Sequence, residues 1–180
     1  MSEGELLEQR VIVWDKEVFD ELQESGYGKF LEDRIELDLI EALYLLEKGK
    51  IKAFKKEGKK KKFMNFKDLL EYGSKTQKDF HPIFIVYKDL RERGFLPKTG
   101  LKFGCSLRCY DRGVKLKKGP KAPHEHTRWV IHVIPEEFTC SFAELSRAVR
   151  LAQNIRTNML WAIVDRENDV TYYEVKRITP

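Results

Sequence analysis

Tyr110 and His126 are the two residues of this chain whose types and spacing bring acid–base groups next to positive charge. Between Lys98 and Tyr110 the sequence KTGLKFGCSLRCY alternates: as one strand, it sets Leu101, Phe103, Cys105, Leu107 and Cys109 on one face and Lys102, Ser106, Arg108 and Tyr110 on the other. One face suits a core, the other an anion. The stretch from His126 to Pro135 (HTRWVIHVIP) alternates in the same way, with Trp129, Ile131 and Val133 opposed to His126, Arg128 and His132. If the two pair as an antiparallel hairpin, Tyr110 and His126 lie at its open end and share a pocket.

The elements that must hold such a pocket are legible around it. Residues 1–9 are polar and read as frayed, and Arg10–Asp15 (RVIVWD) reads as a short strand. From Ile35 to Lys50, Leu37, Ile40, Leu43, Tyr44 and Leu46 recur at helical spacing, which predicts an amphipathic helix ending near Gly49. Ile51–Phe54 reads as an edge strand and Lys55–Lys62 (KKEGKKKK) as a lysine-rich turn around Gly58. Such a run either touches phosphate or keeps a hairpin tip soluble. Asn65 and Asp68 open one helix, and Phe80–Arg93 forms another that Gly94 stops.

Beyond the two alternating strands, Ser141 and Glu144 form a capping box for a helix whose Phe142, Leu145, Ala148, Val149 and Ala152 face the core. Arg150 and Thr157 share a side if that helix continues to Thr157. Leu160–Val164 and Val170–Val175 then read as strands joined by the acidic turn Asp165–Asp169. The fold class expected is α/β (α+β): a small mixed α/β domain over residues 1–85, and a domain over 86–180 with helices packed on a mixed sheet.

Composition bounds the partners. The chain has 180 residues, 42% hydrophobic and 35% charged, too charged for a membrane protein and too rich in aromatic residues for disorder. Residues 1–85 hold 16 basic and 18 acidic side chains, whereas residues 86–180 hold 18 and 11. The second half therefore carries the surface expected of a polyanion binder. Three cysteines, no secretory signal and no apolar run of membrane length point to a reducing, cytoplasmic location. Cys105 and Cys109 with His124 and His126 could be drawn as a zinc site, but both thiols fall on the apolar face, so neither metal nor cofactor is expected.

The segments KTGLKFG, RCYDRG, FAELSRAVRLAQNIR, AIVD and DVTYYEV, in this order, resemble the archaeal tRNA-splicing endonuclease family, and IELDLIEALYLLEKGKIKA resembles its N-terminal domain. The resemblance implies a nuclease-like C-terminal domain and assembly as a homo- or heterotetramer or as a pair of two-domain chains. It implies precursor tRNA as substrate, folded as a bulge-helix-bulge and cut at both intron borders without metal. Products would be a 2′,3′-cyclic phosphate and a 5′-hydroxyl. Tyr110 matches the family's tyrosine, the base that takes the 2′-OH proton; a phenol with a reference pKa of about 10 needs a neighbouring cation such as Arg108 for that task. His126 matches the histidine that protonates the leaving oxygen, for which a reference pKa of about 6.5 is suitable.

At the third position the chain departs from the pattern. The family's lysine falls on Thr157, whose hydroxyl donates a hydrogen bond but carries no charge to offset the transition state. Ser106 and Leu107 stand where the family has Asp-Phe, and the basic loop Asp111–Glu125 is longer than the family's, so His124 competes with His126 for the match. Lys117, Lys118 and Lys121 of that loop, with Lys102 and Arg108, are candidate RNA contacts. Arg150 matches an arginine that stacks on a bulge nucleotide, the alternative being a surface salt bridge. Asp165, Glu167 and Asp169 match a docking loop between dimers, and Tyr172 and Tyr173 a strand that pairs chains, the alternatives being a solvated turn and plain strand core. Two functions of different class follow: an active nuclease that tolerates Thr157, or a non-catalytic structural subunit whose partner cuts. A generic basic RNA-binding domain would leave the ordered segments unexplained.

Overall fold

The computed structural model describes residues 1–100, 104–116 and 125–178. The chain is α/β, with two mixed sheets, and divides into two compact units, Met1–Phe84 and Ile85–Pro180.

In the first unit a six-stranded sheet has the order β3-β4-β2-β1-β5-β6. Its first strand, β1 (Ser2–Leu7), lies in the interior of the sheet, antiparallel to β2 (Arg10–Val13) and parallel to β5 (Ile51–Glu57). The expectation of a frayed, polar N-terminus fails here. Gly4 lets the strands close up, since a Cβ there would stand 2.5 Å from Val11 Cγ1, and the Glu5 carboxylate is matched by Lys56 at 2.7 Å.

A short helix α1 (Phe19–Glu24) and strand β3 (Lys29–Phe30) lead to β4 (Ile35–Asp38), and only then does helix α2 (Leu39–Glu47) begin. The apolar run from Ile35 is thus split between strand and helix. Ile35 and Leu37 are buried on strand alternation, and the Glu41 carboxylate takes the N–H groups of Asp38 and Gly28, each at 3.1 Å, which fixes the helix start. The lysine-rich stretch is likewise mostly strand: β5 and β6 (Lys60–Met64) pair up to a turn at Gly58, and the edge strand is β6. Helix α3 (Phe66–Thr76) opens on the reciprocal Asn65–Asp68 cap, and α4 (Phe80–Glu92) follows.

The second unit holds a five-stranded sheet in the order β11-β10-β9-β8-β7. The alternating stretch from Lys98 to Tyr110 is not one strand. It forms β7 (Leu96–Thr99) and β8 (Leu107–Tyr110), antiparallel to each other, with Leu96 opposite Tyr110 and Lys98 opposite Arg108. Two glycines break the alternation: a Cβ on Gly100 would meet the Cys105 sulfur at 2.5 Å, and Gly104 has φ +68°. Leu101, Lys102 and Phe103 lie outside the described residues.

Strand β9 (Trp129–Pro135) pairs antiparallel with β8 and parallel with β10 (Asn158–Val164), which pairs antiparallel with the edge strand β11 (Val170–Val175). Helix α5 (Phe142–Asn154) supplies the crossover between β9 and β10, opened by the expected Ser141–Glu144 box. Its Ala148, Val149 and Ala152 pack with Val130, Met159 and Trp161. Phe142, expected in the core, is the first residue of the helix and is 90% exposed. Among the described residues no helix is long and apolar enough to cross a membrane.

Candidate functional site

One end of the second sheet gathers three segments on the backbone of Thr127 and Arg128. The Arg128 N–H donates to the Cys109 carbonyl at 2.8 Å, continuing the β8–β9 ladder to the level of Tyr110. From the other side, the Thr157 hydroxyl donates to the carbonyls of Arg128 at 2.7 Å and Thr127 at 3.0 Å, and the Asn158 N–H reaches Arg128 O at 3.3 Å. Tyr110 and Thr157 therefore flank one short stretch, and His126 precedes it by a single residue.

Thr157 reaches this place because α5 stops early. The helix ends at Asn154, Arg156 takes φ +54°, and the Thr157 N–H returns to Ala152 O at 3.0 Å. Had the helix run on, Arg150 and Thr157 would share its side; instead Arg150 stays on the helix surface while Thr157 turns under the sheet end. The hydroxyl carries no cation and is already committed to two carbonyl oxygens.

Tyr110 is 3% exposed, packed with Leu96, Val114 and the partly buried Leu116. Its position on the solvent face of a strand, expected from alternation, is not what the fold gives: residues just beyond β8 cover the ring. The Arg108 guanidinium stands 5.7 Å from the centre of that ring. His126, by contrast, is exposed.

Two contacts that the sequence reading missed brace the site. Arg128 donates to Asp111, the residue after Tyr110, at 2.7 Å, and lies 4.1 Å over the Trp129 ring. The Asp111 carboxyl is held below the usual range, chiefly by the Arg112 N–H and then by Arg128. Extending the antiparallel register one step past Cys109–Trp129 sets Arg128 opposite Tyr110, one residue from Asp111, so the opposite charges in RCYDR and HTRW meet diagonally across the hairpin mouth. Trp129 in turn donates its indole N–H to Glu174 at 2.7 Å, tying the start of β9 to β11.

The other candidates are dispersed. Arg150 lines a groove of about 310 Å³ with Leu145, Ser146, Val149, Val175, Lys176 and Arg177. Arg177 and Lys176 had no role in the sequence reading; the groove brings them beside Arg150. In the acidic turn, Asp165 Oδ1 accepts the N–H groups of Glu167 (2.9 Å) and Asp169 (2.8 Å), so Asp165 shapes the turn while Glu167 and Asp169 face solvent. Arg166 clamps the turn to Glu137 at 2.7 Å. Tyr172 points inward, donating to Asp89 of α4 at 2.7 Å, whereas Tyr173 on the opposite face is 55% exposed. Burial, with the Asp89 carboxylate beside it, raises the Tyr172 phenol well above its ordinary pKa.

Cys105 and Cys109 are core residues. Burial raises their thiols to about 11 and about 12, and among the described residues no three His, Cys, Asp or Glu side chains are grouped to hold a metal ion. Lys102, Lys117, Lys118, Lys121 and His124 lie outside the described residues.

Residues 2–70 match the family described as tRNA intron endonuclease, N-terminal domain, and residues 80–172 the one described as tRNA intron endonuclease, catalytic C-terminal domain. Similar proteins include the tRNA-splicing endonuclease of Thermococcus onnurineus, 40% identical over 150 residues, covering 83% of this chain and 80% of that protein. The tRNA-splicing endonuclease of Thermococcus kodakarensis is 38% identical over 168 residues (93% and 92%), and that of Methanococcus maripaludis 32% over 172 residues (96% and 92%). With both domain matches in order on one chain, and with relatives matching along nearly its whole length, this protein belongs to the tRNA intron endonuclease family.

Proposed function

We propose that this chain is a subunit of a tRNA-splicing endonuclease that binds precursor tRNA folded as a bulge-helix-bulge and cuts the intron borders without metal. The observation that supports the proposal is the convergence of β8, the lead-in to β9 and the turn before β10 on the backbone of Thr127–Arg128, with Thr157 bonded to that stretch, Tyr110 at the end of β8 and His126 one residue before it in the chain. Tyr110 takes the 2′-OH proton of the nucleotide at the cut, the freed oxygen attacks the adjacent phosphorus, and the bond to the 5′-oxygen breaks as His126 supplies its proton. One chain end keeps a 2′,3′-cyclic phosphate and the other a 5′-hydroxyl, with no water consumed. Arg150 and its groove hold a bulge nucleotide, and the chains assemble through the acidic turn and β11.

The test is cleavage of a bulge-helix-bulge precursor tRNA by the purified chain in EDTA, with the product ends analysed. The expected result is a cyclic phosphate and a 5′-hydroxyl, abolished by His126→Ala. A requirement for divalent metal would refute the mechanism.

Two observations favour a second reading, the structural subunit. Thr157 supplies no charge and its hydroxyl is engaged, and the Tyr110 ring is covered by Val114. On this alternative the chain binds the precursor tightly, does not cut it alone, and His126→Ala leaves the activity of the complete assembly unchanged.

A further inference from the structure

Outside the sheet-end site, the β5–β6 hairpin is a densely charged surface among the described residues. From Lys52 to Lys62 the chain holds seven lysines and one acid, Glu57. The register sets Lys55 opposite Lys62 and Lys56 opposite Lys61, two successive like-charge pairs of a kind that destabilises a ribbon.

On one face the fold provides the counter-charges. Lys56 pairs with Glu5 at 2.7 Å and Lys61 with Glu3 at 2.5 Å, both acids coming from β1, and Lys61 also stands 4.7 Å from the centre of the Phe54 ring. The opposite face has only Glu57, which takes Lys62 at 3.2 Å in an exposed pair. Lys55 and Lys60 on that face, and Lys59 at the turn, make no ion pair among the described residues. Lys60 and Lys62 alternate along β6 roughly 7 Å apart, with Lys55 across the ribbon from them.

Guarding an edge strand against unwanted pairing accounts for lysines on β6. It does not account for Lys55, which lies on the inner strand β5, or for two stacked like-charge pairs. A strip of four closely spaced lysines with a single carboxylate, Glu57, among them fits a polyanion of regular spacing. Nor does the strip suit a lipid surface, because the exposed aromatic of the hairpin, Phe63, lies on the other, neutralised face, and the charged face carries no aromatic side chain. A phosphate backbone asks only for cations at intervals.

We infer that Lys55, Lys59, Lys60 and Lys62 bind the phosphate backbone of the RNA substrate, a second contact surface carried by the N-terminal unit. The inference rests on precursor tRNA being the substrate, as proposed above. Contact through phosphates adds affinity and salt dependence without sequence preference.

The experiment compares the full chain with a Lys55→Gln/Lys59→Gln/Lys60→Gln/Lys62→Gln variant, binding a labelled precursor tRNA by fluorescence anisotropy at salt from roughly 50 to 200 mM. The expected result is affinity about 10- to 100-fold weaker at the low end of that range and a log–log salt slope shallower by roughly 2 to 4, with the melting temperature retained. If the quadruple variant does not fold, Lys59→Glu at the open turn is read instead, with an expected loss of about 3- to 10-fold. Equal affinity and slope for variant and parent, or an effect confined to phosphatidylserine vesicles, would overturn the inference. Failure of the parent chain itself to bind precursor tRNA would instead bring down the functional proposal beneath it.

Discussion

At the scale of single residues, Thr157 decides most about this site. Its Oγ1 donates to two carbonyl oxygens, 2.7 and 3.0 Å away, and so braces the backbone that follows His126. Thr157→Val keeps the shape but removes the donor. The expected cost is about 1–2 kcal/mol of stability, measured by denaturant unfolding, because Thr127 O is left without this partner. Thr157→Lys exchanges that clamp for a cation. If the chain is a nuclease in its own right, cleavage should rise on the order of 10²-fold, the size of a single electrostatic contribution to a transition state. Binding without any gain in cleavage would identify the structural subunit. His132 is the second informative residue: it stacks edge-on with Trp161 at 5.7 Å, and burial lowers its pKa from 6.5. The unfolded chain then takes up a proton that the folded state resists. Stability is expected to fall as pH drops below about 6.5 through the lowered value, and His132→Phe to flatten unfolding curves recorded between pH 7 and 5.

Elements place these residues by where they stop. Helix α5 ends at Asn154 and the left-handed Arg156 reverses the chain, so Thr157 reaches Arg128 rather than continuing along the helix beside Arg150. The turn between β10 and β11 is self-contained, since Asp165 caps two of its N–H groups and Arg166 anchors it to Glu137. Asp165 is thereby separated from its acidic neighbours: replacing it would test the turn, not docking. If the turn docks into a basic cleft of another dimer, Glu167→Lys with Asp169→Lys should lower the assembly mass by half in light scattering while leaving the far-UV spectrum intact. An unchanged mass would remove the docking role.

For the molecule as a whole, charge is distributed differently from what the two halves of the sequence suggest. The N-terminal half is net acidic, yet much of its acid is spent in ion pairs, Glu3 and Glu5 with lysines and Asp38 with Arg10, which leaves a cationic strip on one side of the β5–β6 hairpin. In the second unit Arg150, Lys176 and Arg177 share one groove. Both units thus present positive surface suited to RNA, and a count of charges by half would credit only one.

Several features are determined by the sequence alone. The caps at Asn65 and Ser141, the helices they open and the acidic turn follow from local chemistry, as backbone donors within four residues find their acceptors. The antiparallel pairing of β8 with β9 followed from period-two alternation. Tertiary structure decided the rest. The polar segment Ser2–Leu7 became an interior strand because β2 and β5 supply its hydrogen bonds and Lys56 neutralises Glu5, partners that no local pattern reveals. The single strand expected from Lys98 to Tyr110 became two because the space beside Gly100 is filled by Cys105, a contact that exists only once the chain has turned. Tyr110 is buried because Leu96 and Val114 close over it, and Thr157 meets Arg128 because a helix ends three residues earlier. Alternation and capping are properties of neighbours in sequence; burial and long-range hydrogen bonds are properties of neighbours in space.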